Sequence, residues 1–70
     1  MVYKVYQKVS HPQTKYVYEK TITISGRDLK HAVELIRGTP QLRRDLLKKY
    51  WAEQIEPNGR RLYIEIKEEK

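Results

Sequence analysis

The sequence predicts a small α+β domain in which two helices pack on one face of an antiparallel or mixed sheet. Three observations lead to this prediction. Side chains alternate with a period of two in the first 24 residues, follow a helical period in the middle, and alternate again near the end. A chain of 70 residues is long enough for one domain, expected over residues 1–70.

The first two predicted strands form a hairpin. Strand-like alternation in residues 2–9 gives two faces: Tyr3, Val5 and Val9 on one, and Lys4, Tyr6 and Lys8 on the other. Residues 15–24 are rich in Tyr, Val, Thr and Ile, which favour strands. The loop at residues 10–14 contains Pro12, and its five-residue length predicts a hairpin connection.

Two helices are predicted next. The first runs to about Arg37, and its start at residues 25–28 resembles a capping box with Asp in place of Glu. Gly38-Thr39-Pro40 then predicts a C-cap, an N-cap and a first helical residue, in that order. The second helix is expected from Pro40 to about Tyr50, with an apolar side made of Leu42, Leu46, Leu47 and Tyr50.

Residues 51–56 suit either a strand or a longer second helix. The turn at residues 56–60 contains Pro57 and Gly59, which is typical of a three-residue hairpin loop and favours the strand. Trp51 and Ile55 are then expected to point inward, with Trp51 as a core anchor or, alternatively, an interface hot spot. The last strand, residues 61–67, has its apolar and polar side chains on opposite faces, and residues 67–70 are expected to fray.

The predicted order is therefore β-β-α-α-β-β, or β-β-α-α-β if residues 51–56 stay helical. The hairpin–helix–hairpin order is similar to that of a β-grasp roll. An alternative takes residues 27–50 as a helix-turn-helix and residues 51–67 as a wing. That arrangement resembles winged-helix DNA-binding proteins in element order and turn length, without assigning any functional residue.

The charge distribution favours a polyanionic partner. The net charge is +6, and the calculated pI is about 9.7. Residues 1–20 carry four lysines and one glutamate, and residues 27–50 carry seven basic and three acidic residues. Residues 51–70 carry four basic and five acidic residues, so the positive excess lies in the first hairpin and the helices.

Two groups of residues are predicted to bind DNA or RNA, mainly through the backbone and with weak sequence preference. Both groups provide cations that can contact phosphates. The first group also provides aromatic rings on which bases can stack. The first group lies on the outer face of the sheet: Lys4, Tyr6, Lys8, Arg61 and Tyr63. The second group lies on the second helix and in the turn that follows it: Arg43, Arg44, Lys48, Lys49, Arg60 and Arg61.

A protein-interaction module is the alternative function. A small core, six tyrosines and an exposed strand edge favour a homodimer or another protein partner. A small adaptor or inhibitor from a virus or mobile element belongs to this class. An engineered scaffold remains a further alternative.

The sequence predicts no catalytic residue, metal site or cofactor. There is no cysteine, and His11 and His31 alone fall short of the four ligands of a typical zinc site. Ser10 and His11 are neighbours, but the sequence offers no evident carboxylate to orient the histidine. Apolar runs are too short to span a bilayer, and the N-terminus lacks a signal-peptide core, so a cytoplasmic location is expected.

Overall fold

A four-stranded antiparallel sheet carries two helices in the computed structural model, which describes residues 1–69. The elements in chain order are β1 (Val2–Ser10), β2 (Val17–Ser25), α1 (Leu29–Glu34), α2 (Pro40–Lys49), β3 (Trp51–Ile55) and β4 (Arg61–Glu69). The strand order is β2-β1-β4-β3, and all neighbouring strands run antiparallel. The α+β prediction is confirmed. The winged-helix alternative is wrong, because β4 pairs with β1 along its whole length instead of forming a separate wing.

The helices cover one face of the sheet, which we call the inner face. The alternation predicted for β1 and β4 is confirmed, because Tyr3, Val5, Ile64 and Ile66 are buried there. The strand register places these side chains next to each other; Val5, for example, lies opposite Ile66 on β4. The helical layer contributes five more buried apolar side chains: Ala32, Val33, Ile36, Leu42 and Leu46. Burying one such Val, Leu or Ile side chain contributes about 1.5–3 kcal/mol, so this layer holds the helices on the sheet.

The first helix is shorter than predicted. Its N-cap is Asp28, whose carboxylate accepts the His31 N–H at 2.9 Å, while Ser25 ends β2. Its C-cap is Leu35, so the predicted extension to Arg37 and the C-cap at Gly38 are wrong. The chain leaves the helix early because the Ile36 N–H bonds back only three residues, which turns the Ile36 side chain into the core.

The start of the second helix is confirmed. Thr39 caps it by accepting the Leu42 N–H at 3.2 Å, and Pro40 occupies the first turn. The helix ends at Lys49, and Tyr50 takes a left-handed conformation with φ 67°. Leu47 and Tyr50 are exposed, in contrast to the prediction, because only the row containing Leu42 and Leu46 faces the sheet.

The segment after α2 is a strand, but its orientation is the reverse of the prediction. Tyr50 leads directly from the helix into β3, and its carbonyl accepts the Ile66 N–H at 2.9 Å. Ala52 is buried, and it lies on the inner side of β3 together with the partly buried Gln54. Trp51 and Ile55 therefore point to the other face and are exposed.

The last strand is longer than predicted. β4 continues through Lys67 to Glu69, paired along β1, so residues 67–69 do not fray. Lys70 lies outside the described residues.

Substituting Gly59 by alanine is expected to lower the free energy of unfolding by about 1–2 kcal/mol. Gly59 closes the β3–β4 turn with φ 90°, and its N–H bonds to the Glu56 carbonyl at 2.9 Å. An added Cβ would meet only Pro12 at an ordinary 3.5 Å, so the loss comes from backbone strain. Urea unfolding measures it. Gly59→Asn is the control, because asparagine tolerates this conformation better, and equal losses in both variants would contradict the explanation.

Candidate nucleic-acid interface

Three aromatic side chains form a contiguous row on the uncovered face of the sheet, which we call the outer face. Tyr6 lies on β1, Tyr63 on β4 and Trp51 on β3, and we refer to them as the aromatic cluster. The ring centroids of Tyr6 and Tyr63 are 6.2 Å apart in an edge-to-face arrangement. Those of Trp51 and Tyr63 are also 6.2 Å apart, with the planes 28° from parallel. The cluster thus crosses three neighbouring strands.

The strand register explains why these rings meet. Glu65 on β4 pairs with Tyr6 of β1 on one side and with Trp51 of β3 on the other. Tyr63 comes two residues before Glu65, on the same face of β4. Tyr6 and Trp51 are therefore each a diagonal neighbour of Tyr63, with about 7–8 Å between the backbones. Aromatic side chains can bridge that distance. Register rather than proximity in sequence assembles the cluster.

Cations flank the rings on both sides. The Lys49 ammonium lies 5.0 Å from the centroid of the Trp51 ring, within cation–π distance. Near the other end, Lys8 and Arg61 border a shallow depression of about 330 Å³. The residues lining this depression are Tyr6, Lys8, Ser10, Glu53, Arg61 and Tyr63. The outer face therefore combines flat rings with positive charge, as the sequence predicted for Tyr6, Lys8, Arg61 and Tyr63.

Carboxylates modulate the charge of this face. The Tyr63 hydroxyl donates to Glu65 at 2.5 Å, and this hydrogen bond, together with burial, raises the pKa of Tyr63. Burial, followed by the nearby charge of Glu19, raises the pKa of Tyr6. Both phenols therefore keep their protons to a higher pH than a free tyrosine does. Lys4 is engaged with Glu69 at 3.5 Å, which reduces its availability to a ligand.

The second predicted group is divided between different surfaces. The Arg43 guanidinium donates to the Ile36 carbonyl at 3.2 Å and ties α2 to the segment between the helices. Arg60 pairs with Glu56 at 2.6 Å inside the β3–β4 turn. Arg44 and Lys48 are exposed on α2, on the opposite side of the sheet from the aromatic cluster. From this group only Lys49 and Arg61 join the outer face.

Sequence reasoning missed Trp51 as a member of this surface. The available signal was the alternation in β3, where the small Ala52 and the larger Trp51 are neighbours and so lie on opposite faces. A tryptophan is usually among the most buried side chains, and this general tendency favours an inward Trp51 over the alternation in β3. A strand of only five residues gives few positions with which to decide its orientation.

The histidines serve local turns. Nδ1 of His11 accepts the Gln13 N–H at 3.3 Å, and Nδ1 of His31 accepts the Arg27 N–H at 3.1 Å. Over residues 1–69, no three or more His, Asp or Glu side chains converge in a way that could hold a metal ion. Neither α1 nor α2 is long and apolar enough to cross a membrane.

Comparisons with protein-family models, curated proteins and solved structures give no match to the chain. The expected similarity to a β-grasp roll is wrong beyond element order, because the central strands β1 and β4 run antiparallel here and those of a β-grasp roll run parallel. Fold and geometry define the class as a small basic α+β protein with an aromatic and cationic sheet face. Its function has to be argued from that face.

Proposed function

We propose that the protein binds single-stranded DNA or RNA on the outer face of its sheet. The observation that carries the proposal is the aromatic cluster with Lys8, Lys49 and Arg61 beside it. Bases stack on exposed rings with about 1–3 kcal/mol each, largely irrespective of sequence, and cations neutralise the phosphates between them. The net charge of +6 adds a long-range attraction for any polyanion.

The dimensions of the cluster suit a short stretch of nucleic acid. Two successive centroid separations of 6.2 Å give stacking positions for about two or three nucleotides, as on other sheet surfaces that bind single strands. Trp51 is 42% exposed, and Lys49 lies over its ring. A base that stacks there displaces the ammonium, whose flexible stem then carries it to a neighbouring phosphate.

Single strands fit this surface better than a duplex. In a duplex the base faces are already stacked on each other, so the rings gain nothing from contact with its exterior. Within residues 1–69, no helix lies on the outer face that could enter a groove and read base edges. Glu53 and Glu65 lie among the rings and oppose the dense phosphate charge of a duplex.

The proposal is tested by fluorescence anisotropy with labelled single-stranded DNA, duplex DNA and structured RNA over a range of salt concentrations. Single-stranded DNA and unpaired RNA segments are expected to bind best. With three flanking cations, log K should fall against log salt with a slope of about −2, since each neutralised phosphate of a single strand contributes about −0.7. Failure of all three probes to bind at low salt would refute the proposal.

Two charge-matched double variants locate the site. Lys8→Gln with Arg61→Gln is expected to reduce the salt slope to about −0.7, because one flanking cation remains. Arg44→Gln with Lys48→Gln removes the same charge from α2 and should leave the slope near its original value. If instead the α2 double variant reduced the salt slope and the sheet double variant did not, the binding site would lie on α2. Circular dichroism checks that both variants are folded.

A further inference from the structure

We propose that two copies of the protein form a symmetric dimer in which their β2 strands pair antiparallel, edge to edge. The sheet order leaves β2 at one margin, with nine residues and neither proline nor bulge to blunt it. The opposite margin is β3, which has only five residues and is followed by Pro57. This inference does not depend on nucleic-acid binding.

The hydrogen bonds of the first hairpin show which backbone groups of β2 face outward. Met1 and Gly26 exchange two backbone bonds, each 3.0 Å, and the His11 N–H bonds to the Tyr16 carbonyl at 3.4 Å. These pairs mark the hydrogen-bonded positions of the ladder, which recur at every second residue. The even-numbered residues of β2 therefore bond to β1. The odd-numbered residues direct their N–H and C=O groups to the open edge: Val17, Glu19, Thr21, Thr23 and Ser25.

One register uses all of these outward groups. Two-fold pairing centred on Thr21 sets Thr21 opposite its own copy, Glu19 opposite Thr23, and Val17 opposite Ser25. That arrangement forms about ten hydrogen bonds between the two strands. Centring the pairing on Lys20 or Ile22 instead leaves about eight, and the former also brings two lysines face to face.

The same register covers apolar surface that a single copy exposes. Tyr16, Val17 and Tyr18 are consecutive, and each is about half exposed or more: 60%, 54% and 48%. Tyr18 would lie opposite Ile24 of the second copy on the inner face, beside that copy's α1. This is a non-hydrogen-bonded position, where side chains approach most closely, and aromatic–β-branched pairs are favourable there.

Charge and area define the strength of the dimer. The protein carries +6 overall, but β2 contains one glutamate and one lysine, so the copies meet along a neutral edge. A strand of nine residues is about 30 Å long, and with a sheet thickness of about 10 Å it buries roughly 300 Å² per copy. Since stable interfaces bury about 800 Å² per partner, we expect a weak dimer with a micromolar to millimolar dissociation constant.

The two-fold axis is perpendicular to the sheet, which has a structural consequence. Both outer faces lie on the same side of one eight-stranded sheet, and the two aromatic clusters face the same direction. The Tyr6-bearing strands of the two copies are three strand spacings apart, about 14 Å.

Cross-linking at single introduced cysteines tests the register, because the chain has no cysteine of its own. In Thr21→Cys the two sulfhydryl-bearing residues face each other at about 5.5 Å between Cα atoms, which a disulfide can span. Thr23→Cys is the matched control on the same strand and face. Its two copies are displaced by about 13 Å along the strands, so mild oxidation should link only the Thr21→Cys protein.

Sedimentation equilibrium from micromolar to millimolar concentration tests the dimer itself. The unmodified protein should show concentration-dependent dimers, and Thr21→Pro should remain monomeric and folded. Proline there removes an outward N–H and leaves the β1 ladder intact. A monomer at all concentrations, equal cross-linking of the two cysteine variants, or undiminished dimerisation of Thr21→Pro would each overturn the inference.

Discussion

Leu46→Ala is expected to lower the free energy of unfolding by about 2–5 kcal/mol. Leu46 is fully buried and lies on the row of α2 that faces the sheet. Truncation removes its apolar contacts and leaves a cavity between the helix and β3, which rigid strands can fill only in part. A 70-residue protein has a total stability of roughly 4–10 kcal/mol, so this change removes a large share of it.

Urea unfolding followed by circular dichroism measures this loss, and the next residue supplies the control. Leu47 is 38% exposed, so Leu47→Ala is expected to cost about 1 kcal/mol or less. The comparison tests the orientation of α2, since the sequence alone assigns both leucines to the apolar side. Equal losses would show that the helix packs with a different row against the sheet.

Trp51→Ala is expected to weaken binding of single-stranded DNA by about 5- to 150-fold, the equivalent of one lost stacking interaction of 1–3 kcal/mol. Trp51 ends the aromatic cluster, presents the largest ring, and bears Lys49 over one face. Removing the ring eliminates one base position and leaves Lys49 without its aromatic support. The effect should be confined to affinity, since the side chain lies outside the core.

Anisotropy titrations at constant salt measure this effect, with two controls on the same strand. Trp51→Phe retains a ring and should bind within a few-fold of the unmodified protein. Ile55→Ala removes an exposed apolar side chain from the same face without removing a ring, and its affinity should be unchanged. If Trp51→Ala bound as tightly as the unmodified protein, the aromatic cluster would not be the binding surface.

Local sequence patterns were sufficient to predict the long strands and much of the outer face. β1 and β4 each have nine residues with clear alternation, so the faces of Tyr6, Lys8, Arg61 and Tyr63 followed directly. The Thr39-Pro40 start of α2 was equally local, because a cap depends on residues within one turn. Side-chain period and capping chemistry act over a few residues, which is why a single sequence can reveal them.

The sequence by itself thus determined the order of every element except β3, the inner side of the long strands and the positive charge. Tertiary structure decided which residues share a surface. Trp51 points outward because its neighbour Ala52 is buried in the core cluster, and which side of β3 is buried is decided only when helix and sheet pack. The strand order likewise brings Tyr6 beside Tyr63 and leaves Arg44 and Lys48 on the far side. Pairing and register join residues far apart in the chain, and no local period contains that information.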